Sequence, residues 1–175
     1  MSSLADLVRN IPDWPKPGIQ FKDITTLLSD PRGLAETIDG MAAPFQGKGI
    51  ELVLGTEARG FLFAPAVALR LGAGVALARK PGKLPWKTVR ESYDLEYGTD
   101  ALELHQDAVK PGQKVLLVDD LLATGGTMLA AARLVEGLGG QVAGCAFLIE
   151  LSFLPGRRKL SPRPVHSLIQ YETEG

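Results

Sequence analysis

The residues best suited to chemistry lie between Val115 and Thr127, in the run Val115-Leu116-Leu117-Val118-Asp119-Asp120-Leu121-Leu122-Ala123-Thr124-Gly125-Gly126-Thr127. Two adjacent carboxylates can accept hydrogen bonds from the vicinal hydroxyls of a sugar. The small-residue loop Ala123 to Thr127 precedes a helical pattern with Met128, Leu129, Ala132, Val135 and Leu138 on one side. Such a loop offers backbone N–H groups at a helix N-terminus, where the macrodipole adds positive potential; together these make a phosphate site. Asp119 and Asp120 repel a phosphate, so they must serve another part of the ligand. Acid pair and phosphate loop together describe a ribose 5-phosphate. Singly the pieces are weak, since an acid pair is often a polar strand end and Thr-Gly-Gly-Thr can be any turn. Their order on strand, loop and helix carries the reading.

The elements that must hold these residues follow from the apolar pattern. Val115 to Val118 read as a strand buried on both faces, with the aspartates at the C-terminal end, where open α/β sheets bind ligands. Glu51 to Leu54 is a similar strand, followed by the loop Gly55-Thr56-Glu57-Ala58-Arg59-Gly60 and a helix bearing Phe61, Ala64, Ala68 and Leu71. Val75 to Ala78 and Val142 to Leu151 are further strands. Asp30-Pro31 starts a helix with Leu34, Ile38, Met41 and Phe45 at helical spacing. Strands alternating with helices predict a mainly parallel sheet with right-handed crossovers. Residues 3–10 are expected to form a short helix, and Ile11 to Gly18 a proline-rich arm. Residues 79–90 are basic and proline-bearing, and predict a loop. Tyr93 to Leu104 predict a β-hairpin turning at Gly98-Thr99-Asp100, and Val165 to Tyr171 an edge strand.

Composition narrows the function classes. The chain has 175 residues, the size of one domain, with 45% hydrophobic and 22% charged residues. Nineteen Lys and Arg against 20 Asp and Glu give a net charge of −1, so no global field favours nucleic acid or an anionic membrane. The single Cys145 sits in an apolar run and reads as a buried small hydrophobe in a reducing compartment. No signal peptide or membrane-length apolar run is visible, so the expectation is a cytoplasmic protein. Gly72-Ala73-Gly74 lacks the third glycine of a dinucleotide fingerprint, and no Gly-Lys-Ser/Thr loop occurs. His105 and His166 form no metal spacing with the cysteine, so no metal ligands are expected from the protein.

The opening run resembles the phosphoribosyl diphosphate (PRPP) signature of the type I phosphoribosyltransferases, in particular the adenine branch. The resemblance extends through Pro17-Gly18-Ile19-Gln20-Phe21-Lys22-Asp23-Ile24, Glu57-Ala58-Arg59-Gly60-Phe61, Arg79 to Pro85, and Ser92-Tyr93-Asp94-Leu95-Glu96-Tyr97-Gly98. It implies a Mg2+-dependent conversion of adenine and PRPP to AMP and pyrophosphate in purine salvage, by a homodimer. It also implies a three-layer α/β fold: one domain over 1–175, residues 1–30 contributing to a small hood, and 79–104 a flexible lid loop and hairpin. Carried over, Asp119 and Asp120 would hold the ribose hydroxyls, and Ala123, Thr124, Gly125, Gly126 and Thr127 the 5-phosphate. Arg59, Lys80, Lys83 and Lys87 would hold pyrophosphate, with magnesium on PRPP oxygens. Phe21 would lie on the purine face, with Lys22 and Tyr97 also at the substrate, and Glu96 would be the acid–base residue. A cis peptide within Glu57 to Gly60 is also implied. Lys22 stands where arginine is common in the family, and Ala58 replaces a frequent serine. Rival expectations are transfer to another purine base and a non-catalytic PRPP sensor; a sensor usually carries an added nucleic-acid-binding element, for which this chain has no basic surplus.

Overall fold

Strands this apolar cannot leave a face in water, so they gather into a sheet covered on both sides. The computed structural model describes residues 3–95 and 98–174. A 3-10 turn at Leu4–Leu7 precedes β1 (Arg9–Ile11), β2 (Phe21–Asp23) and the short α1 (Thr25–Leu28). Then come α2 (Pro31–Ala42), β3 (Leu52–Thr56), α3 (Gly60–Leu71) and β4 (Gly74–Ala78). An antiparallel hairpin, β5 (Thr88–Asp94) and β6 (Thr99–His105), interrupts the alternation. The chain continues with β7 (Lys114–Leu122), α4 (Gly126–Gly137), β8 (Gln141–Leu151), α5 (Gly156–Leu160) and β9 (Val165–Tyr171).

The central sheet runs β4-β3-β7-β8-β9, every pair parallel. Strand alternation divides the interior into two clusters. Leu52, Leu54, Leu117 and Phe147 meet α4 and the hairpin's Leu102 and Leu104. Val53, Leu116, Val118 and Leu148 meet α2 and α3 on the opposite face. The three layers inferred from sequence are therefore present, with the hairpin sharing a layer with α4. Asp30 caps α2 as expected, its Oδ1 accepting the Gly33 N–H at 2.7 Å.

Three local expectations change, and a fourth holds. Residues 3–10 do not form one helix; the turn ends at Leu7 and Arg9–Ile11 pairs with β2, so an edge partner wins over weak helical spacing. Thr88 to Arg90 are strand rather than loop, because the hairpin leaves one face in solvent and tolerates their polarity. β7 runs four residues past Val118, so Asp119 and Asp120 belong to the strand itself. The edge strand at 165–171 is present and parallel, reached through the α5 crossover.

Candidate active site

Three neighbouring strands deliver their C-terminal ends to one place. β3 ends in the turn Glu57-Ala58-Arg59, whose Glu57–Ala58 peptide is cis. β4 leads to Arg79 and Lys80, and β7 carries Asp119 and Asp120. Gly60 lets the first turn approach β7 closely: a Cβ there would lie 2.8 Å from the Val118 carbonyl oxygen and 3.2 Å from Asp119 Oδ1. These ends and the loop before α4 enclose a cavity of about 300 Å³, floored by the acid pair.

The two carboxylates are not equivalent. Asp120 is 7% exposed and pairs with the half-exposed Arg59 through Nε and Oδ2. Asp119 Oδ1 accepts the Asp120 N–H at 2.9 Å. Burial first, and the neighbouring Asp120 charge second, push the Asp119 carboxyl well above the usual range. A hydroxyl donor or a cationic ligand atom at this spot relieves that penalty.

The loop expected to hold a phosphate runs straight into α4. Gly125 adopts φ 82° and ends the loop, and the first bond of α4 runs from the Leu129 N–H to its carbonyl. The N–H groups of the preceding helical residues thus face the cavity mouth with no helical acceptor. Tyr93 of β5 covers this loop, since a Cβ on Gly126 would sit 3.1 Å from the Tyr93 ring.

Lys80 is the cavity's second cation. Its Nζ pairs with Asp100 and bonds the Tyr93 hydroxyl at 3.1 Å, so the hairpin holds it. The Lys80 hydrogen bond is the chief reason the Asp100 carboxyl lies below its ordinary range. Glu57 accepts the Lys80 N–H at 2.9 Å and faces Arg79 at 3.3 Å; the Lys80 backbone bond leads in holding its carboxyl low.

Arg59, Lys80, Asp119, Asp120 and Ala123 through Thr127 all line this one cavity. Phe21 and Lys22 do not. Phe21 stacks edge-on against Trp14 at 4.4 Å, while Lys22 bonds Asn10 Oδ1 at 3.0 Å and lies over Tyr171. Lys22 lines a smaller cavity of about 170 Å³ with Ile19, Gln20, Leu151, Phe153 and Leu154. Lys83 and Lys87 are exposed and outside the cavity wall. Glu96 and Tyr97 lie outside the described residues. Sequence reasoning missed Glu57, Tyr93 and Asp100, whose partners are distant in the chain. Among the described residues no group of three or more His, Cys, Asp or Glu is arranged to hold a metal.

A family model for the phosphoribosyl transferase domain matches residues 20–166. The adenine phosphoribosyltransferase of Acidobacterium capsulatum is 60% identical over 168 residues, covering 96% of this chain and 93% of that one. The chain belongs to the adenine phosphoribosyltransferase family. Among solved structures, the enzyme of Thermoanaerobacter pseudethanolicus matches with a TM-score of 0.93 at 52% identity, over 96% of this chain and 98% of that one. That of Saccharomyces cerevisiae, complexed with an imino-altritol bisphosphate and adenine, matches at 0.89 and 38% identity, over 94% and 96%. The mainly parallel sheet flanked by helices is the fold of these relatives.

Proposed function

We propose that the cavity transfers a 5-phosphoribosyl group from PRPP to N9 of adenine, giving AMP and pyrophosphate, as purine salvage requires. One observation carries the assignment of roles: the acid pair, the α4 loop and the cations Arg59 and Lys80 all line one cavity. That set of groups matches a ribose with a phosphate at C5 and a diphosphate at C1. The C1–oxygen bond breaks with its electron pair leaving on pyrophosphate, while the N9 lone pair forms the new bond. Charge on the ring grows as the bond breaks, much as in glycoside cleavage. Asp119 and Asp120 accept the ribose hydroxyl hydrogens, and their negative charge favours that cationic ring. Arg59 and Lys80 take the charge gathering on the leaving group, and the ligand draws Lys80 away from Asp100. Lys83 and Lys87 reach pyrophosphate only if their segment folds inward.

Adenine is placed beside Phe21 and Lys22, in the hood formed by β1 and β2. Glu96, with Tyr97 next to it, is proposed as the residue that receives the N9 proton and protonates the purine imidazole in reverse. Two carboxylates beside a diphosphate suit magnesium, a hard cation that keeps much of its water and binds chiefly through substrate oxygens. Asp119 and Asp120 would hold it through that water shell, and it would neutralise diphosphate charge.

A cytoplasmic homodimer is part of this proposal. The open β4 edge exposes Val75 and Leu77, and α3 exposes Leu62 and Leu69, at 41–82% of their surfaces. No helix among the described residues is long and apolar enough to cross a membrane. The test is incubation with PRPP, magnesium and each purine in turn, with sedimentation to read the mass. AMP from adenine alone supports the proposal. Nucleotide from another base instead, or from none, refutes it, the latter in favour of a PRPP sensor.

A further inference from the structure

β8 ends on a charge in an apolar setting: Glu150 is 3% exposed. Arg157, in α5, meets it with both arms. Arg157 Nε donates to Oε1 at 2.8 Å and Nη2 to Oε2 at 2.5 Å. Nη1 donates to the Val165 carbonyl at 2.9 Å and Nη2 to Ser167 Oγ at 3.2 Å, while the Ser167 hydroxyl donates to Glu150 Oε2 at 2.5 Å. A two-armed contact of this kind fixes direction as well as distance. The start of α5 is therefore pinned to the ends of β8 and β9.

What is pinned lies directly under the phosphate loop. Gly156, the residue before Arg157, is buried, and a Cβ on it would come 2.4 Å from the Ala123 carbonyl oxygen and 2.8 Å from Leu122 Cδ1. From the other side, a Cβ on Gly125 would come 2.9 Å from Gly156 Cα. With two glycine backbones in direct contact, a shift of Gly156 is a shift of the loop. Arg157 itself does not line the cavity of the acid pair.

We infer that the Glu150–Arg157 pair is a positioning device for the 5-phosphate: by fixing Gly156 it sets where residues 123–126 present their N–H groups. This rests on the assignment of that loop to the 5-phosphate. Arg157 does not line that cavity, so it acts through the loop, and the loss falls on ligands that carry this phosphate more than on the purine.

Four variants test it: Arg157→Ala, Arg157→Lys, Gly156→Ala and the double Glu150→Leu/Arg157→Leu. Arg157→Ala leaves a buried carboxylate unpaired and can unfold the chain; the double variant removes both charges and avoids this. Gly156→Ala reaches the loop without touching the ion pair. In each variant that keeps a sharp thermal transition, except Arg157→Lys, the Kd for ribose 5-phosphate and the KM for PRPP rise about tenfold, the scale of a loop misplaced by part of an ångström. KM for adenine stays within about twofold. Arg157→Lys recovers part of the loss. Unchanged ribose 5-phosphate binding in the double variant and in Gly156→Ala, or an equal rise in the adenine KM, overturns the inference. Failure of the unaltered protein to bind ribose 5-phosphate overturns instead the loop assignment on which it rests.

Discussion

Replacing Asp119 by Asn should make the free protein harder to melt while removing its activity. Burial and the adjacent Asp120 hold the Asp119 carboxyl well above its ordinary value of 3.8. Between that value and the raised one, the folded chain keeps a proton that the unfolded chain has lost. Stability therefore falls as pH rises through this window. One proton sets the steepest slope, about 1.4 kcal/mol per pH unit. For a chain of this length that is about 3–5 °C of melting temperature per unit. Asparagine keeps an acceptor for the Asp120 N–H, bonded at 2.9 Å, but has no charge to bury. Thermal unfolding of both proteins without ligand, from about pH 3 to about pH 8, isolates the effect, since every other carboxyl titrates in both. The variant's advantage should be smallest in acid, grow with pH and then level off. Turnover should fall by about 10²-fold or more, because a charge aimed at the developing cation is gone. An advantage that does not change with pH, or turnover close to the original, refutes the reasoning.

Arg59→Lys keeps the charge but loses the planar fork, so pyrophosphate affinity should fall about tenfold while ribose 5-phosphate affinity barely moves. Calorimetry with each ligand reads this, and equal losses would place Arg59 elsewhere. Lys83 and Lys87 are exposed, so trypsin should nick the free protein there faster than the protein with magnesium and PRPP. Adenine alone should protect less, and identical cutting under all conditions would show that no substrate-gated closure occurs. Cys145 is fully buried and its thiol is pushed up to about 12 by burial, so a disulfide reagent should label it only after denaturation. Prompt labelling of the folded protein would contradict that placement.

The sequence made the sheet legible because each strand announces itself locally. Val115 to Val118 and Leu52 to Leu54 are apolar on both faces, and a parallel interior is the place that accepts such runs. The acid pair and the loop before α4 are legible for a related reason: all their parts are consecutive. The misread stretches are those where a partner decides. Thr88 to Arg90 look like loop until β6 lies beside them, and Arg9 and Asn10 look helical until β2 does. Glu150 sits inside the apolar run Val142 to Leu151. A charge in such a run demands a buried partner, and that signal was available. Its partner's identity was not, since Arg157 is one of three consecutive basic residues and only the fold selects it. Phe21 and Lys22 lie in β2, and Trp14 and Tyr171, which they touch, could not be named beforehand.

The sheet order also bears on how the chain is made. β3 is buried at all five positions, yet one of its two partners, β7, is synthesised only after the hairpin and the turn that follows it. β3, α3 and β4 can join as soon as they emerge from the ribosome, leaving the other edge of β3 unpaired and apolar. Residues 79–113 take roughly 2–7 s to add at bacterial-to-eukaryotic elongation speeds. For that interval the nascent chain displays an open strand edge, the feature on which neighbouring chains pair and aggregate. The intervening hairpin closes within microseconds of its own synthesis, far sooner than β7 can arrive. An uninterrupted passage through residues 79–113 therefore shortens the exposure, and a ribosomal pause there lengthens it.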